Sequence, residues 1–311
     1  VKAPYYESRF IRANHPDRPR ALWLRETLLL TSSGAASADV WVMVFDPEEE
    51  GNRALKRPHQ IEDADFVSDP WTARIGDTTI DDGSARGSLS GPRSSSWDLR
   101  IIAGGEPVKL LPDRQYSARF PSAKTTVRSP VARFDGHVLV DELRVDLDGW
   151  TGSVNHNWGR RHTPAYAFGQ VCGFDEAPSS SLEIVTARAG IGPVMLPPVT
   201  LLVFRHDGDE LAIRGVLAAR RSTGEYRPFE WSFSARFGDL TLQGDISAET
   251  GDVIGLNYTD TDGKTKYCYN SAIASCRIRL SGPDSRELTA TRRAMFEILT
   301  DTRHADVPLL A

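Results

Sequence analysis

The sequence predicts an all-β protein of antiparallel strands. Three observations carry this. Apolar residues recur mostly at every second position, Gly- and Asp-rich turns interrupt them at short intervals, and helical periodicity is poor throughout. Many short strands joined by such turns form either a sandwich or a barrel, and meander-like hairpins favour an up-and-down barrel over a Greek-key sandwich.

Taken in order, Ala21 to Leu30 and Val40 to Phe45 are rich in Leu, Val and aromatic residues and read as strands. Glu48 to Ala73 carries acids, prolines and the aromatics Phe66 and Trp71, and reads as a loop or lid. Ser84 to Ser96 is rich in Gly and Ser and reads as a flexible crossover. Val138 to Leu147 alternates as one strand, with Val138, Val140, Glu142 and Arg144 on one face and Leu139, Leu143, Val145 and Leu147 mostly on the other. Ala165 to Val171 sets Tyr166, Phe168 and Gln170 on a common face. A domain boundary is expected between Gly173 and Pro198, where Pro178-Ser179-Ser180-Ser181 and the stretch Gly190 to Pro198 interrupt the strands. Leu201 to Arg205 and Leu211 to Leu217 flank His206-Asp207-Gly208-Asp209, a hairpin signal. Phe229, Trp231, Phe233, Ala235 and Phe237 form an alternating stripe that Gly238-Asp239 turns into Leu240 and Leu242. Tyr258 and Tyr267 flank a hairpin at Asp262-Gly263, and Glu287 to Leu299 is either a helix or the final strand.

A chain of 311 residues buries a substantial core and makes one large or two ordinary domains. Its net charge of -5 argues against nucleic acid or an anionic membrane as the main partner. No apolar run approaches the roughly 20 residues of a transmembrane helix, so no transmembrane segment is expected. No signal peptide is visible, although the chain opens at Val1. Cys172, Cys268 and Cys276 are odd in number and form no Cys-x-x-Cys pair, which speaks against a disulfide framework and a thiolate zinc site. A cytoplasmic location is the default. Neither a dinucleotide fingerprint nor a Walker loop is present, and Gly87-Ser88-Leu89-Ser90-Gly91 lacks the central serine of a nucleophile elbow. His156 and His162 suit no common metal-ligand spacing, so neither a metal nor another cofactor is expected.

The chemistry concentrates in Gly152 to His162, which holds two histidines, two asparagines, a tryptophan and two arginines. On a strand, His156 and Trp158 share one face and Asn155 and Asn157 the other. Facing a barrel interior, His156 beside Trp158 would be suited to moving protons near an apolar substrate. A satisfied core histidine beside a core tryptophan is the alternative, but core strands avoid so much neighbouring polarity. Glu183 is a carboxylate within the apolar run Ser181-Leu182-Glu183-Ile184-Val185, either an acid of raised pKa or an outward-facing residue. Tyr267, Tyr269 and Asn270 form a further aromatic-polar cluster.

Asn155-His156-Asn157-Trp158-Gly159, then Pro164, Tyr166, Phe168 and Gln170, resemble the carotenoid 1,2-hydratase and tocopherol cyclase superfamily of lipocalin-like proteins. Asn157-Trp158-Gly159 with the later proline, aromatics and Gln is similar to the cyclase branch, and His156-x-Trp158 to the hydratase branch. Lys266 to Ser271 also looks like bacterial members. The resemblance implies two lipocalin-like antiparallel β-barrel domains, 1–175 and 176–311, with a ligand cavity at their junction. It also implies acid-assisted hydration or cyclisation of an isoprenoid or polyene, a hydrophobic small-molecule substrate. The hydratase branch uses an Asp acid and a downstream Tyr; Asp175 and Glu183 are the candidate acids here. In this reading a neutral carboxyl protonates the double bond, Trp158 and Tyr166 stabilise the cation, and His156 acts as acid, base or orienter. Asn155, Asn157, Phe168, Gln170 and Tyr267 complete the substrate contacts. A non-catalytic carrier of hydrophobic ligands is the competing reading.

Overall fold

The computed structural model describes residues 2–188, 190–191, 194–195, 197–282 and 285–310. The alternating pattern becomes two antiparallel sheets, each curled into a nearly closed barrel. The first contains β1 (Tyr5–Asn14), β2 (Ala21–Leu30), β3 (Ala36–Phe45), β4 (Arg53–His59), β5 (Ala64–Ser68), β6 (Trp71–Ile75), β7 (Thr78–Asp81), β8 (Ser84–Leu89), β9 (Ser95–Ile102), β10 (Val108–Lys109), β11 (Ala123–Val140) and β12 (Leu143–Gly159). After β13 (Ala165–Cys172) and β14 (Ser181–Arg188), the short pair β15 (Gly190–Ile191) and β16 (Val194–Met195) stands apart. The second barrel continues with β17 (Val199–His206), β18 (Asp209–Ile213), β19 (Ser222–Arg227), β20 (Glu230–Phe237), β21 (Leu240–Ser247), β22 (Ile254–Thr259), β23 (Thr265–Ser281) and β24 (Arg286–Thr300). The first sheet ends at Gly159 and the second begins at Ala165, so the chain changes barrel over 160–164. Among the described residues no helix is long and apolar enough to cross a membrane.

Both barrels follow one plan that no sequence repeat announces. In each, the first strand pairs with the last: β1 with β12, setting Arg9 opposite His156, and β13 with β24, setting Phe168 opposite Glu297. In each, the last two strands form a long hairpin that changes register midway, between Val127 and Ala132 in β11 and between Ser271 and Cys276 in β23. Such bulges let a long strand bend and follow a barrel wall.

Several sequence expectations differ from the structure. Val138 to Leu147 is not one strand but a hairpin, turning at Asp141 with φ of 54°. The inward residues are Val138 and Val140 before the turn and Val145 and Leu147 after it, and that change of phase is the mark of the turn. Glu48 to Ala73 is largely sheet: on β4, Leu55 faces the first barrel's core and Ala54 the core between the barrels, while Trp71 and Ala73 are buried at alternate positions of β6. Ser84 to Ser96 is a hairpin between β8 and β9. Glu287 to Leu299 lies in strand β24. Of Gly190 to Pro198, residues 192, 193 and 196 lie outside the described residues. Asp207 and Gly208 both have positive φ, as a two-residue hairpin turn requires.

Each barrel has its own core, one around Leu22, Leu24, Val42 and Trp150, the other around Leu182, Ile184, Trp231 and Phe296. A further core joins them. Phe10, Trp23, Trp41 and Phe45 of the first barrel meet Leu256, Cys268, Met295 and Leu299 of the second. The run Ala21-Leu22-Trp23-Leu24 is continuously apolar because β2 is buried on both faces. Gly152 lies mid-strand, where a Cβ would meet the Arg12 carbonyl oxygen at 1.8 Å. Glycine there lets β12 press against β1.

Candidate active site

Strand alternation builds a cavity of about 180 Å³ between the barrels. On β1 and β2 the residues not pointing into the first barrel, Tyr6, Phe10 and Arg25, reach its wall. On β13 these are Tyr166 and Phe168, on β22 Tyr258, and on β24 Glu297. Leu110, Leu111, Val185 and Leu201 supply apolar surface. The result is an apolar chamber with polar groups converging on one part of it, the usual form of a small-molecule site.

Glu297 is the carboxylate of that chamber. It is 5% exposed and flanked along β24 by Met295 and Leu299, which face the same inter-barrel core. The Tyr166 hydroxyl donates to its Oε1. Burial pushes the carboxyl pKa up, and Arg25, Tyr166, Cys268 and His162 only partly oppose this. Tyr166 is held well above its ordinary pKa, by burial first and by Glu297 second. Tyr166 therefore keeps its proton near neutrality, and Glu297 holds its proton more tightly than an exposed carboxyl does.

His162 forms a second polar element. Its Nδ1 lies 2.9 Å from Asp260 Oδ1, and its ring stacks on Tyr6 at 3.7 Å. Burial alone would raise the Asp260 carboxyl, but the hydrogen bond and charge of His162, with the Thr261 amide, hold it down at about 2. When the imidazole is neutral, an ionised Asp260 favours the tautomer with the proton on Nδ1, which leaves Nε2 as an acceptor.

A smaller cavity of about 130 Å³ shares Tyr6, Arg25, His162 and Tyr258 with the first, and is lined beyond them by Ser8, Thr27, Asp39 and Lys56. A larger concavity, about 460 Å³, lies on the outer face of the second barrel among residues such as Ser232, Ser234, Gln243 and Arg277. Lacking an apolar enclosure, it offers no means of desolvating a reacting group, and the junction cavity is the better candidate despite its smaller volume.

Of the residues singled out by sequence, Tyr166, Phe168 and Asn157 line the junction cavity; Asn157 Oδ1 accepts from Thr125 at 2.7 Å. His156 and Trp158 do share a face, with rings stacked at 4.3 Å, but it is the face turned into the first barrel. There His156 Nε2 lies 2.8 Å from Glu7 Oε1 and the ring meets the edge of Trp71. Burial lowers the His156 pKa despite Glu7. Asn155, Gln170 and Glu183 belong to a buried network beside the cavity. Gln170 Nε2 donates to Asn155 Oδ1 at 2.9 Å and to Glu183 Oε2 at 2.8 Å, while its Oε1 accepts from Arg12 Nε at 2.7 Å. Burial raises the Glu183 pKa to about 8. Asp175 is a partly exposed partner of Arg293 and Thr291, its pKa lowered by those contacts against a smaller burial than Glu183 suffers. Tyr267 packs near Val253 and Val307, away from the chamber.

Sequence reading passed over Arg25, Tyr258, Asp260 and Glu297. Glu297 carried a legible signal: Met295-Phe296-Glu297-Ile298-Leu299 is a carboxylate in an apolar strand, the pattern that singled out Glu183. Arg25 interrupts the apolar run of β2 in the same way.

No family model matches the chain. Two uncharacterized proteins of Mycobacterium tuberculosis, from strains CDC 1551 / Oshkosh and ATCC 25618 / H37Rv, are each 26% identical to it over 264 residues, covering 84% of this chain and 77% of theirs. Among solved structures, a protein provisionally called AttH from Nitrosomonas europaea superposes with a TM-score of 0.61 at 11% identity, over 96% of this chain and 93% of that one. Kievitone hydratase from Nectria haematococca superposes with a TM-score of 0.58 at 8% identity, over 96% and 89%. At such identities the likeness is one of fold: the chain has the two-barrel, lipocalin-like architecture of these proteins.

Proposed function

We propose that this protein is an enzyme that adds water to, or closes a ring onto, a carbon-carbon double bond of a hydrophobic small molecule. The observation that carries the reading is Glu297, a buried carboxyl on the wall of an apolar junction cavity whose hold on its proton burial strengthens. The fold shared with a kievitone hydratase and the resemblance of Asn155 to Gln170 to hydratases and cyclases of isoprenoids support the same class of chemistry.

In this reading Glu297 gives its proton to one alkene carbon, and the Tyr166 hydroxyl, which donates to Oε1, stabilises the carboxylate left behind. The faces of Tyr166, Phe168 and Phe10 stabilise the positive charge on the other carbon. Water, or a hydroxyl of the substrate, forms the new carbon-oxygen bond and loses its proton to His162 Nε2, whose imidazolium is stabilised by Asp260. Proton return from His162 through solvent to Glu297 closes the cycle. Asn157 contacts substrate, Glu183 and Gln170 hold the barrels in register, and His156 with Trp158 supports β12 from within the first barrel.

The test is incubation with prenylated phenols, acyclic isoprenoids and polyenes in heavy water. Expected is a hydrated or cyclised product with one deuterium fixed on carbon. Glu297→Gln should lower its rate about 100-fold or more. Unchanged turnover in that variant would remove Glu297 as the acid, and ligand binding without product from any substrate would mark a carrier.

A further inference from the structure

We propose that the ligand of the junction cavity is an amphiphile whose carboxylate head is bound by Arg25. The inference rests on reading that cavity as the substrate site, and it names what the substrate must carry at its polar end.

Arg25 projects from β2 towards the second barrel and is 7% exposed. Its Nε donates to Ser8 Oγ at 2.6 Å and its Nη1 to the Tyr258 hydroxyl. Both partners are neutral, since burial holds Tyr258 well above its ordinary pKa. Among the described residues no carboxylate lies within ion-pair distance of Arg25, and Nη2 has no hydrogen-bond partner. The two other deeply buried arginines are provided for differently. Arg9 is paired with Glu7, and Arg12 spends its donors on Gln170, Asn14, Cys172 and backbone carbonyls.

A buried guanidinium without an anion is costly, because it gives up hydration and gains no opposite charge. The rings of Tyr258, Trp23 and Phe10, at 4.9, 5.5 and 5.8 Å, offset only part of that cost. The nearby carboxyl, Glu297, is engaged by the Tyr166 hydroxyl and makes no ion pair with Arg25 among the described residues. In the smaller cavity Asp39 is engaged by Lys56 at 3.5 Å, and Glu7 by Arg9, His156 and Tyr5. Arg25 thus stands at the wall between an apolar and a polar chamber with a free donor edge. A carboxylate there completes a charge-assisted pair while the hydrocarbon part fills the apolar chamber.

Calorimetric titration of the full chain with geranic acid, geraniol and geranylamine reads the head-group preference at constant chain length. Near neutral pH, geranic acid should bind about tenfold or more tighter than geraniol, and the amine most weakly. In Arg25→Met the advantage of the acid over the alcohol should fall below about twofold with geraniol affinity kept, and Arg25→Lys should retain part of it. A second measurement needs no variant: in the wild type, the advantage of the acid should vanish as pH falls below the carboxyl range of the ligand itself, about 4 to 5. Equal binding of acid and alcohol, an advantage that survives in folded Arg25→Met, or binding of none of the three overturns the proposal. Affinity is read here without turnover, so a lost preference leaves the hydration test standing, and a failed hydration test leaves the preference readable.

Discussion

Replacing Glu183 by Gln should make the protein's stability less sensitive to alkaline pH. Glu183 is 4% exposed, its Oε2 accepts from Gln170, and its Oε1 has no partner among the described residues. Burial raises its pKa from 4.5 to about 8. Below the lower value the carboxyl is protonated in both folded and unfolded chains and costs nothing. As pH rises between the two values the unfolded chain releases the proton and the folded chain keeps it, so stability falls by about 1.4 kcal/mol per pH unit. The cumulative loss by the upper end is about 5 kcal/mol. Gln preserves the shape and the acceptor towards Gln170 but cannot ionise. Urea unfolding of both proteins, followed by tryptophan fluorescence at a series of pH values, should give near-equal stabilities at mildly acidic pH. A gap in favour of the variant should then open steadily towards pH 8. Curves that run parallel across this range, or a variant less stable at the alkaline end, would refute the argument that Glu183 is folded in its neutral form.

Other substitutions probe the same framework. Gly152→Val places a side chain against the Arg12 carbonyl, where a Cβ alone would stand at 1.8 Å; thermal melting should show a loss of about 3 kcal/mol or more, because backbone cannot give way there. Arg12→Met strands the acceptors of Asn14 and Gln170 between the barrels and should cost about 3 kcal/mol, read by urea unfolding and by faster proteolysis within 160–164. Asp260 has a folded pKa of about 2, below its ordinary 3.8, so its stabilisation is full above the higher value and disappears as pH falls through the lower one. The stability gap between wild type and Asp260→Asn should accordingly close on acidification, as followed by circular dichroism.

The all-β class, the hairpins at Asp207-Gly208 and Asp262-Gly263, and the shared faces of His156 with Trp158 and of Tyr166 with Phe168 and Gln170 were all legible in the chain. Each depends on local rules: a period of two, and turns that need positive φ. Where local signals were weak or double, the reading went astray. Glu48 to Ala73 carries enough charge and proline to resemble a loop, yet β4 is paired to β3 and β5 to β6 along their lengths. Val138 to Leu147 hid a turn because Asp141 and Glu142 fit an alternating pattern as well as a hairpin.

Alternation determines which residues share a face, and that much the sequence settled for β12 and β13. It does not say what the face meets. Only the closure of two barrels and their packing turned His156 and Trp158 into the first barrel and Asn157 towards the junction. The same packing brought Arg25, His162, Tyr258 and Glu297 together from four separated parts of the chain. Their convergence rests on long-range pairing, β1 with β12 and β13 with β24, and on the apolar surface buried between the barrels. Contacts of that separation leave no local pattern, because nothing in the neighbouring residues records which distant strand will lie opposite.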